Sequence, residues 1–359
     1  MSPLPALVAE PPPWPKALFF DLDGTLLAPG AHLLRETAEA VWAAAARGSI
    51  IVLATGGFSA RTLLVAAALQ EGAPGRVWTI THNGAAIWDP GGQPVCTLGT
   101  PTPAVEALLQ AAGPRVWVAF EAASRSRGTQ VFYAGRLRHE LAPLLWGPLP
   151  AAHGHAGDAD DRCLLVSVDH RARGRGVGYP LPLPGASQRA APPLPLSEAG
   201  LPVGLEPRWD WRRARHAVRA PGQEVLGCWV VGTPAALEPL DALARDGELL
   251  GARYLPWGKR IAQILGRPRL HLVGRDVGAR QASKGAAAAW LCDRLGIDAR
   301  QTAAFGDGDN DVELLDFAGT AVAMANGTAA ALAHGHLIAP SNGEHGVAQV
   351  LHHWLMERA

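Results

Sequence analysis

One stretch decides the fold: Ala17-Leu18-Phe19-Phe20-Asp21-Leu22-Asp23-Gly24-Thr25. Its apolar run is short and ends in acids, which predicts a buried strand. Asp21 and Asp23 follow at the carboxyl end of that strand, where both side chains can reach one site above a sheet. One carboxylate can attack an electrophile there while the other transfers protons, and Gly24 permits a sharp turn. An ordinary acidic turn after a strand is the alternative.

Strands and helices alternate outward from this stretch. Helical spacing predicts helices over residues 31–47 and 59–69, and apolar runs predict strands over 49–54 and 77–80. Near the other end of the chain the alternation resumes, with predicted helices over 284–295, 312–317 and 346–356 and predicted strands over 301–306 and 321–324. The alternation predicts an α/β fold with a doubly wound parallel-sheet (Rossmann-like) core.

The middle of the chain follows a different pattern. Its strand signals come with turns, and helix-like pieces lie between them, including residues 234–245 with Thr233 as a candidate cap. The predicted strands cover 115–121, 129–134, 163–169, 224–231, 252–257 and 267–273. This change of pattern predicts a separate α+β cap domain inserted into the α/β core.

The predicted domain organisation has three parts. A proline-rich lead covers residues 1–15, the core comprises 16–86 and 272–359, and the inserted cap covers 87–271. Within the cap, residues 170–222 are rich in Pro, Gly and Arg and have little periodicity. That composition predicts a long excursion from the cap.

Composition excludes several functional classes. The 359 residues carry a formal net charge of +0, so we expect neither nucleic acid nor a membrane surface as a partner. There is no signal-peptide pattern at the N-terminus and no apolar run of about 18 residues, so we expect no membrane-spanning helix. The four cysteines are far apart and form no disulfide framework, which favours free thiols and a cytoplasmic location.

A second acidic motif, Gly306-Asp307-Gly308-Asp309-Asn310-Asp311, follows the predicted strand 301–306. Clustered carboxylates with an amide oxygen suit a hard cation that keeps several waters, so the motif favours Mg²⁺. A calcium loop is disfavoured, because the later Glu of an EF-hand loop is missing and the flanking element is a strand. A solvated acidic turn is the remaining alternative.

Two further positions suit phosphate binding. Thr55 ends the second predicted strand and is followed by Gly56, Gly57 and a helix, and free N–H groups at a helix start bind phosphate well. Lys284 begins another predicted helix, next to Ser283, where its ammonium could neutralise a phosphate or an acidic cluster. A plain helix cap and a solvated lysine are the respective alternatives.

The order of these signals resembles the haloacid dehalogenase superfamily of phosphohydrolases. Three more segments are similar to its Cof-type branch: Thr81-His82-Asn83-Gly84-Ala85, Met324-Ala325-Asn326-Gly327 and Ser341-Asn342-Gly343-Glu344-His345-Gly346-Val347-Ala348. The resemblance covers roughly residues 16–86 and 268–352. Across the middle, only the insertion point and the mixed strand-helix content agree with the large cap of that family.

The resemblance implies roles for the acidic residues. Asp21 would be the nucleophile that forms an aspartyl-phosphate. Asp23 would be the general acid and base, with its backbone carbonyl on Mg²⁺. Asp307 would be the third metal ligand beside Asp21. Asp311 would not touch the metal ion itself but would hold the residues that do.

The resemblance also implies how substrate is held. Thr55, Gly56 and Lys284 would bind the phosphate, and Asn310 would contact the substrate. Many Cof-type sequences have an Arg directly after Thr-Gly. Gly57 stands there in this sequence, and Arg61, one helical turn later, is the candidate replacement.

The expected function is therefore magnesium-dependent hydrolysis of a small phosphorylated metabolite, with a sugar phosphate as one candidate. A phosphomutase or another phosphotransferase on the same core is an alternative, since it would share the aspartyl-phosphate step. A binding protein that retained the fold without catalysis is the other alternative. The presence of all the chemical residues favours an enzyme over a binding protein.

Overall fold

A computed structural model describes most of the chain outside the middle region. The described residues are 14–112, 115–124, 128–134, 148–150, 163–167, 218–219, 222–247, 249, 251–256 and 272–357. Nearly all of the predicted lead (1–15) and of the predicted excursion (170–222) lies outside these residues. The same holds for most of the predicted strand 267–273.

The described elements alternate as expected at both ends of the chain. The strands are β1 (Ala17–Phe20), β2 (Leu33–Leu34), β3 (Ile50–Ala54), β4 (Val77–Thr81), β5 (Ala86–Trp88), β6 (Pro94–Thr97), β7 (Trp117–Ser124), β8 (Gly128–Ala134), β9 (Pro148–Pro150), β10 (Cys163–Ser167), β11 (Gln223–Gly232), β12 (Ala252–Pro256), β13 (Val273–Ala279), β14 (Thr302–Gly306), β15 (Thr320–Met324) and β16 (Leu337–Ala339). The helices are α1 (Arg35–Ala46), α2 (Ser59–Gln70), α3 (Thr102–Ala111), α4 (Pro234–Arg245), α5 (Lys284–Leu295), α6 (Val312–Phe317), α7 (Ala329–His334) and α8 (Gly346–Met356).

The core is an eight-stranded sheet with the order β16-β15-β14-β1-β3-β4-β5-β6. Strand β1 lies in the parallel part, between β14 and β3. Its side chains are buried on both faces: Leu18 and Phe20 pack in one apolar cluster with α1, α2 and α8, whereas Ala17 and Phe19 pack in another with α5, α6 and α7. A strand covered on both faces needs a continuous apolar run. The predicted doubly wound α/β core is confirmed.

The cap contains an antiparallel sheet with the order β12-β13-β11-β7-β8. Helices α3 and α4 contribute to its apolar cluster, and the Thr233 side chain caps α4 by accepting from the Ala236 N–H, as predicted. In a separate three-stranded sheet with the order β2-β10-β9, two strands from the middle of the chain pair with β2, which directly precedes α1. The predicted inserted α+β cap is therefore present beside the core.

The limits of the cap need correction at both ends. We predicted that the core stops at residue 86 and resumes at 272, but β5 and β6 extend the core sheet as antiparallel edge strands. Strand β13, which we had placed in the core, pairs with β11 and β12 of the cap. Short antiparallel strands have the same sequence pattern in either sheet, so the pattern alone does not assign them.

Within the described part of the chain, no helix is both long enough and apolar enough to cross a bilayer.

Candidate active site

Asp21 lies where β1 ends, beside the end of the neighbouring strand β14. Its backbone N–H donates to the carbonyl of Phe305 at 3.0 Å, which continues the β1–β14 pairing by one residue. Asp307 begins the loop that follows β14, so the parallel register brings the two acidic motifs together. Both side chains are buried, with exposed fractions of 3% and 4%.

Gly24 and Thr25 seat Asp307 against the first acidic motif. The Thr25 hydroxyl donates to Asp307 Oδ1 at 3.2 Å. Gly24 has a φ of +96°, and a Cβ at this position would lie 2.3 Å from Asp307 Oδ2. Glycine is required here both for its backbone conformation and for the approach of the Asp307 carboxylate.

Lys284 joins Asp21 to Asp311. Its Nζ lies 2.5 Å from Asp21 Oδ1 and 2.5 Å from Asp311 Oδ1, and its side chain is fully buried. Burial alone would lower the pKa of Lys284, but the charges of the two carboxylates outweigh this effect and raise it. Lys284 is therefore a cation fixed on Asp21, at the first residue of α5.

Asp311 organises the loop of the second acidic motif. Its Oδ2 accepts from the backbone N–H of Asp307 at 3.0 Å and of Gly308 at 2.7 Å, while its Oδ1 faces Lys284. The Asp311 carboxylate is thus already engaged by three donors. This arrangement suits a supporting role better than a direct contact with a metal ion.

Arg61 is bound to Asp23. Its Nη1 donates to Asp23 Oδ2 at 2.6 Å and its Nη2 donates to Asp23 Oδ1, so the contact is bidentate. Burial would lower the pKa of the Arg61 guanidinium, but the charge of Asp23 and its hydrogen bonds raise it. Arg61, on the first turn of α2, therefore reaches the site although Gly57 stands directly after Thr55-Gly56.

Thr55 and Gly56 lie in the loop between β3 and α2. The Thr55 hydroxyl oxygen accepts from the Gly57 N–H at 3.0 Å, which leaves its own O–H as a donor. Gly56 lies close to Asn83, since a Cβ on Gly56 would be 2.8 Å from Asn83 Nδ2. The loop is thus held on one side by the segment that follows β4.

That segment, His82-Asn83-Gly84, is a turn that the sequence marked only by its resemblance to the Cof-type branch, without a role for its side chains. His82 Nε2 lies 2.7 Å from Glu121 Oε2, and Glu121 also accepts from the Ser59 N–H at 2.8 Å. Glu121 lies on cap strand β7 and its side chain is buried. A lone carboxylate inside an apolar strand pattern was the available signal, since a buried charge needs a partner.

Asn83 connects the cap to the second acidic motif. Its Nδ2 donates to Asp276 Oδ2 at 2.6 Å, and its Oδ1 accepts from Asn310 Nδ2 at 2.8 Å. Asp276 lies on cap strand β13. Burial raises the pKa of Asp276, and the charges of Arg253 and His82 oppose this rise.

The donor set of the site fits a magnesium ion. Among the described residues, Asp21, Asp307 and Asp311 each have a carboxylate oxygen within 4.8 Å of the others. Since both oxygens of Asp311 are already engaged, Asp21 and Asp307 are the carboxylates that could hold the ion. Oxygen-only ligands of this kind suit a hard divalent cation. The predicted site residues thus come from four separate segments of the chain, 21–23, 55–56, 284 and 307–311.

Comparison with known proteins agrees with this architecture. A family model described as haloacid dehalogenase-like hydrolase matches residues 18–122 and 273–351, just over half of the chain. Phosphatase YwpJ of Bacillus subtilis is 39% identical over 80 residues, which are 22% of this chain and 28% of that protein. Phosphoglycolate phosphatase of Archaeoglobus fulgidus is 29% identical over 109 residues, which are 30% of this chain and 47% of that protein. Both alignments span less than half of the relative.

Solved structures are similar over a larger part of the chain. The phosphatase BT1666 from Bacteroides thetaiotaomicron matches with a TM-score of 0.57 and 18% identity, and the alignment covers 99% of each chain. The subclass IIB sugar phosphatase BT4131 matches with a TM-score of 0.60 and 19% identity, over 95% of this chain and 99% of that chain. At these identities the likeness concerns the fold, with its core and its cap.

Proposed function

The chain belongs to the haloacid dehalogenase-like hydrolases, and from this we propose that it is a magnesium-dependent phosphatase. Its substrate would be the phosphate monoester of a small metabolite, with a sugar phosphate as the first candidate. The reaction would pass through an aspartyl-phosphate on Asp21. The observation that carries the proposal is the buried Asp21 carboxylate, held by Lys284 and adjoined by Asp307.

Asp21 is the nucleophile in this proposal. Its carboxylate attacks phosphorus, a P–O bond to Asp21 forms, and the ester P–O bond breaks. Lys284 supports this step because its ammonium fixes one oxygen of Asp21 and adds positive charge where an anionic phosphate must approach. Thr55, with its free O–H, and Gly56 would hold the phosphate oxygens.

Asp23 is the proton-transfer group. In the first step it would give a proton to the departing ester oxygen. In the second step water attacks the phosphorus, the bond to Asp21 breaks, and a proton of that water returns to Asp23. Arg61 holds both oxygens of Asp23 in the resting arrangement, so one oxygen must leave the guanidinium before it can carry the proton.

Magnesium would be held by the carboxylates of Asp21 and Asp307 and by the backbone carbonyl of Asp23. When bound, the ion would offset the negative charge shared by the phosphate and the nucleophile. Asp311 would support these ligands without contacting the ion, since its oxygens accept from Lys284 and from two backbone N–H groups of the loop.

The relatives support a small phosphorylated metabolite as the substrate. A sugar phosphatase and a phosphoglycolate phosphatase are among the similar proteins. Their substrates are the property of those proteins, and the family model leaves residues 123–272 of this chain unmatched. Screening phosphorylated metabolites with magnesium would identify its own substrate.

Substitution of the two carboxylates tests the proposal. Asp21→Asn should abolish turnover of every ester, because no nucleophile remains. Asp23→Asn should lose most activity toward alkyl phosphates and less toward aryl phosphates, whose leaving groups need little protonation. Asp309→Asn is the matched control, since Asp309 is exposed and lies in the same loop as Asp307.

Rapid-quench labelling supplies the decisive measurement. A labelled phosphoryl group should be found on Asp21, and it should accumulate in Asp23→Asn, where breakdown of the intermediate is slowed. Full activity in Asp21→Asn, or label on a histidine or serine, would overturn the proposed function.

A further inference from the structure

The turn His82-Asn83-Gly84 has an unusual backbone. His82 and Asn83 have φ values of +51° and +54°, and Gly84 has a φ of +99°. Side-chain-bearing residues in the left-handed region cost of order 1–3 kcal/mol each and persist only where surrounding contacts hold them. Two in succession indicate that the turn is kept in place by strong contacts.

Those contacts come from the core on one side. The backbone N–H of Asn83 donates to the Thr55 carbonyl at 3.0 Å, and that of His82 donates to the Gly57 carbonyl at 3.1 Å. The turn is therefore bonded directly to the loop that we propose binds phosphate. The side-chain amide of Asn83 contacts Asn310, which lies between Asp307 and Asp311 in the sequence.

The cap supplies the contacts on the other side. Asp276 Oδ2 accepts from Asn83 Nδ2 at 2.6 Å, and Asp276 is 6% exposed. Because this carboxyl oxygen accepts the hydrogen bond, it directs the NH₂ group of the Asn83 amide toward Asp276. Its Oδ1 then faces Asn310 and accepts from Asn310 Nδ2 at 2.8 Å.

We propose that Asp276 is a positioning residue for the phosphoryl site. From the cap, it sets the direction of the Asn83 amide, and Asn83 in turn fixes Asn310 and the Thr55–Gly57 loop. The seating of the cap and the assembly of the catalytic loops are thereby coupled through one directed chain of hydrogen bonds. This role rests on the proposed phosphatase function.

Exchanging the side chains of Asn83 and Asp276 tests whether the direction of these hydrogen bonds matters. Asn83→Asp alone places two carboxylates face to face, and we expect kcat to fall by roughly 100-fold, the scale of a misplaced catalytic group, with KM nearly unchanged. Asp276→Asn alone no longer fixes the direction of the Asn83 amide, because an amide at position 276 can either donate or accept. It should lower kcat by about tenfold, since the catalytic loops are then less well positioned. The double variant Asn83→Asp with Asp276→Asn again places one NH₂ donor opposite one carboxylate, while Asn310 still meets an acceptor. It should recover to within about threefold of wild type, a strong positive coupling in the double-mutant cycle.

The matched control is Thr97→Val. Thr97 donates to Glu224 at 2.8 Å, a hydrogen bond between core strand β6 and cap strand β11 that has no contact with the catalytic loops. Its loss should leave kcat unchanged. All variants are assayed with p-nitrophenyl phosphate and magnesium, below the midpoint of thermal unfolding of each variant.

The outcomes separate the two claims. Wild-type protein without turnover of any phosphate ester would overturn the phosphatase function, and this role with it. Wild-type turnover combined with a double variant no more active than Asn83→Asp would overturn the positioning role alone. If the double variant fails to fold, Asp276→Asn decides: a wild-type kcat would overturn the role, and a lowered kcat with unchanged KM would support it.

Discussion

Gly24→Ala perturbs the site at the point where the two acidic motifs meet. The substitution adds one methyl group to a residue with a φ of +96°, and the added Cβ would lie 2.3 Å from Asp307 Oδ2. Ordinary van der Waals contacts of a Cβ begin at 3.4 Å. The Asp307 carboxylate therefore has to move by about 1 Å, away from the position that seats it beside Asp21.

Two costs follow, and a second glycine separates them. Gly48 has a φ of +108°, but a Cβ on Gly48 would meet nothing within 4 Å. Gly48→Ala should therefore show only the backbone cost, of order 1–3 kcal/mol in the free energy of unfolding. Gly24→Ala should show that cost together with displacement of Asp307. A shift of about 1 Å in a catalytic group can reduce the rate roughly 100-fold.

The assay compares kcat/KM for an aryl phosphate over a range of magnesium concentrations, with urea unfolding measured in parallel. Gly48→Ala should lose stability and keep wild-type kinetics. Gly24→Ala should lose about 100-fold in kcat/KM and require more magnesium for half-maximal activity. Equal kcat/KM and an equal magnesium requirement in the two variants would refute the reasoning. The close contact between Gly24 and Asp307 would then not affect catalysis.

Three further predictions concern the charged groups. Arg61→Lys should lower kcat/KM about tenfold for alkyl phosphates and less for aryl phosphates, because lysine keeps the charge but loses the bidentate hold on Asp23; equal losses on both ester classes would contradict this. Lys284→Met should lower the free energy of unfolding by roughly 3–5 kcal/mol in urea, because it removes the buried cation that two buried carboxylates share; an unchanged unfolding midpoint would show that these carboxylates do not depend on it. Burial raises the pKa of Asp276, so the contribution of Asp276 to stability is fullest below the unfolded pKa of about 4 and is lost as pH rises through the folded pKa. Asp276→Asn should therefore gain stability relative to wild type as pH rises from 4 to 8, and a relative loss in thermal unfolding over that range would contradict the sign.

Several elements could be predicted closely because their signals are local. Helices α5, α6 and α8 begin and end at the predicted residues. The Thr233 cap of α4 was predicted from a single side chain. Helix caps, periodicity and strand-end motifs depend on neighbours a few residues away, so the sequence contains the full signal.

Contacts across the chain were harder to predict. Lys284 was a candidate phosphate binder, but its contact with Asp21 joins residues 263 positions apart. Glu121 and Asp276 carried only a faint signal, because each is the single acid of a short strand. Sequence analysis proposed Arg61 as a substitute for the arginine that many Cof-type sequences have in place of Gly57. This stayed open, because whether Arg61 reaches Asp23 depends on where helix α2 lies.

The amino-acid sequence by itself determined the α/β core, the two acidic motifs at strand ends and the presence of an inserted cap. These features follow from periodicity and from residue types at short spacing. Only the tertiary structure decided which sheet receives β5, β6 and β13, and which buried acids meet His82 and Asn83. The physical reason is that sheet pairing and burial of charge are settled by partners far away in sequence, and short hydrophobic strands are compatible with more than one of them.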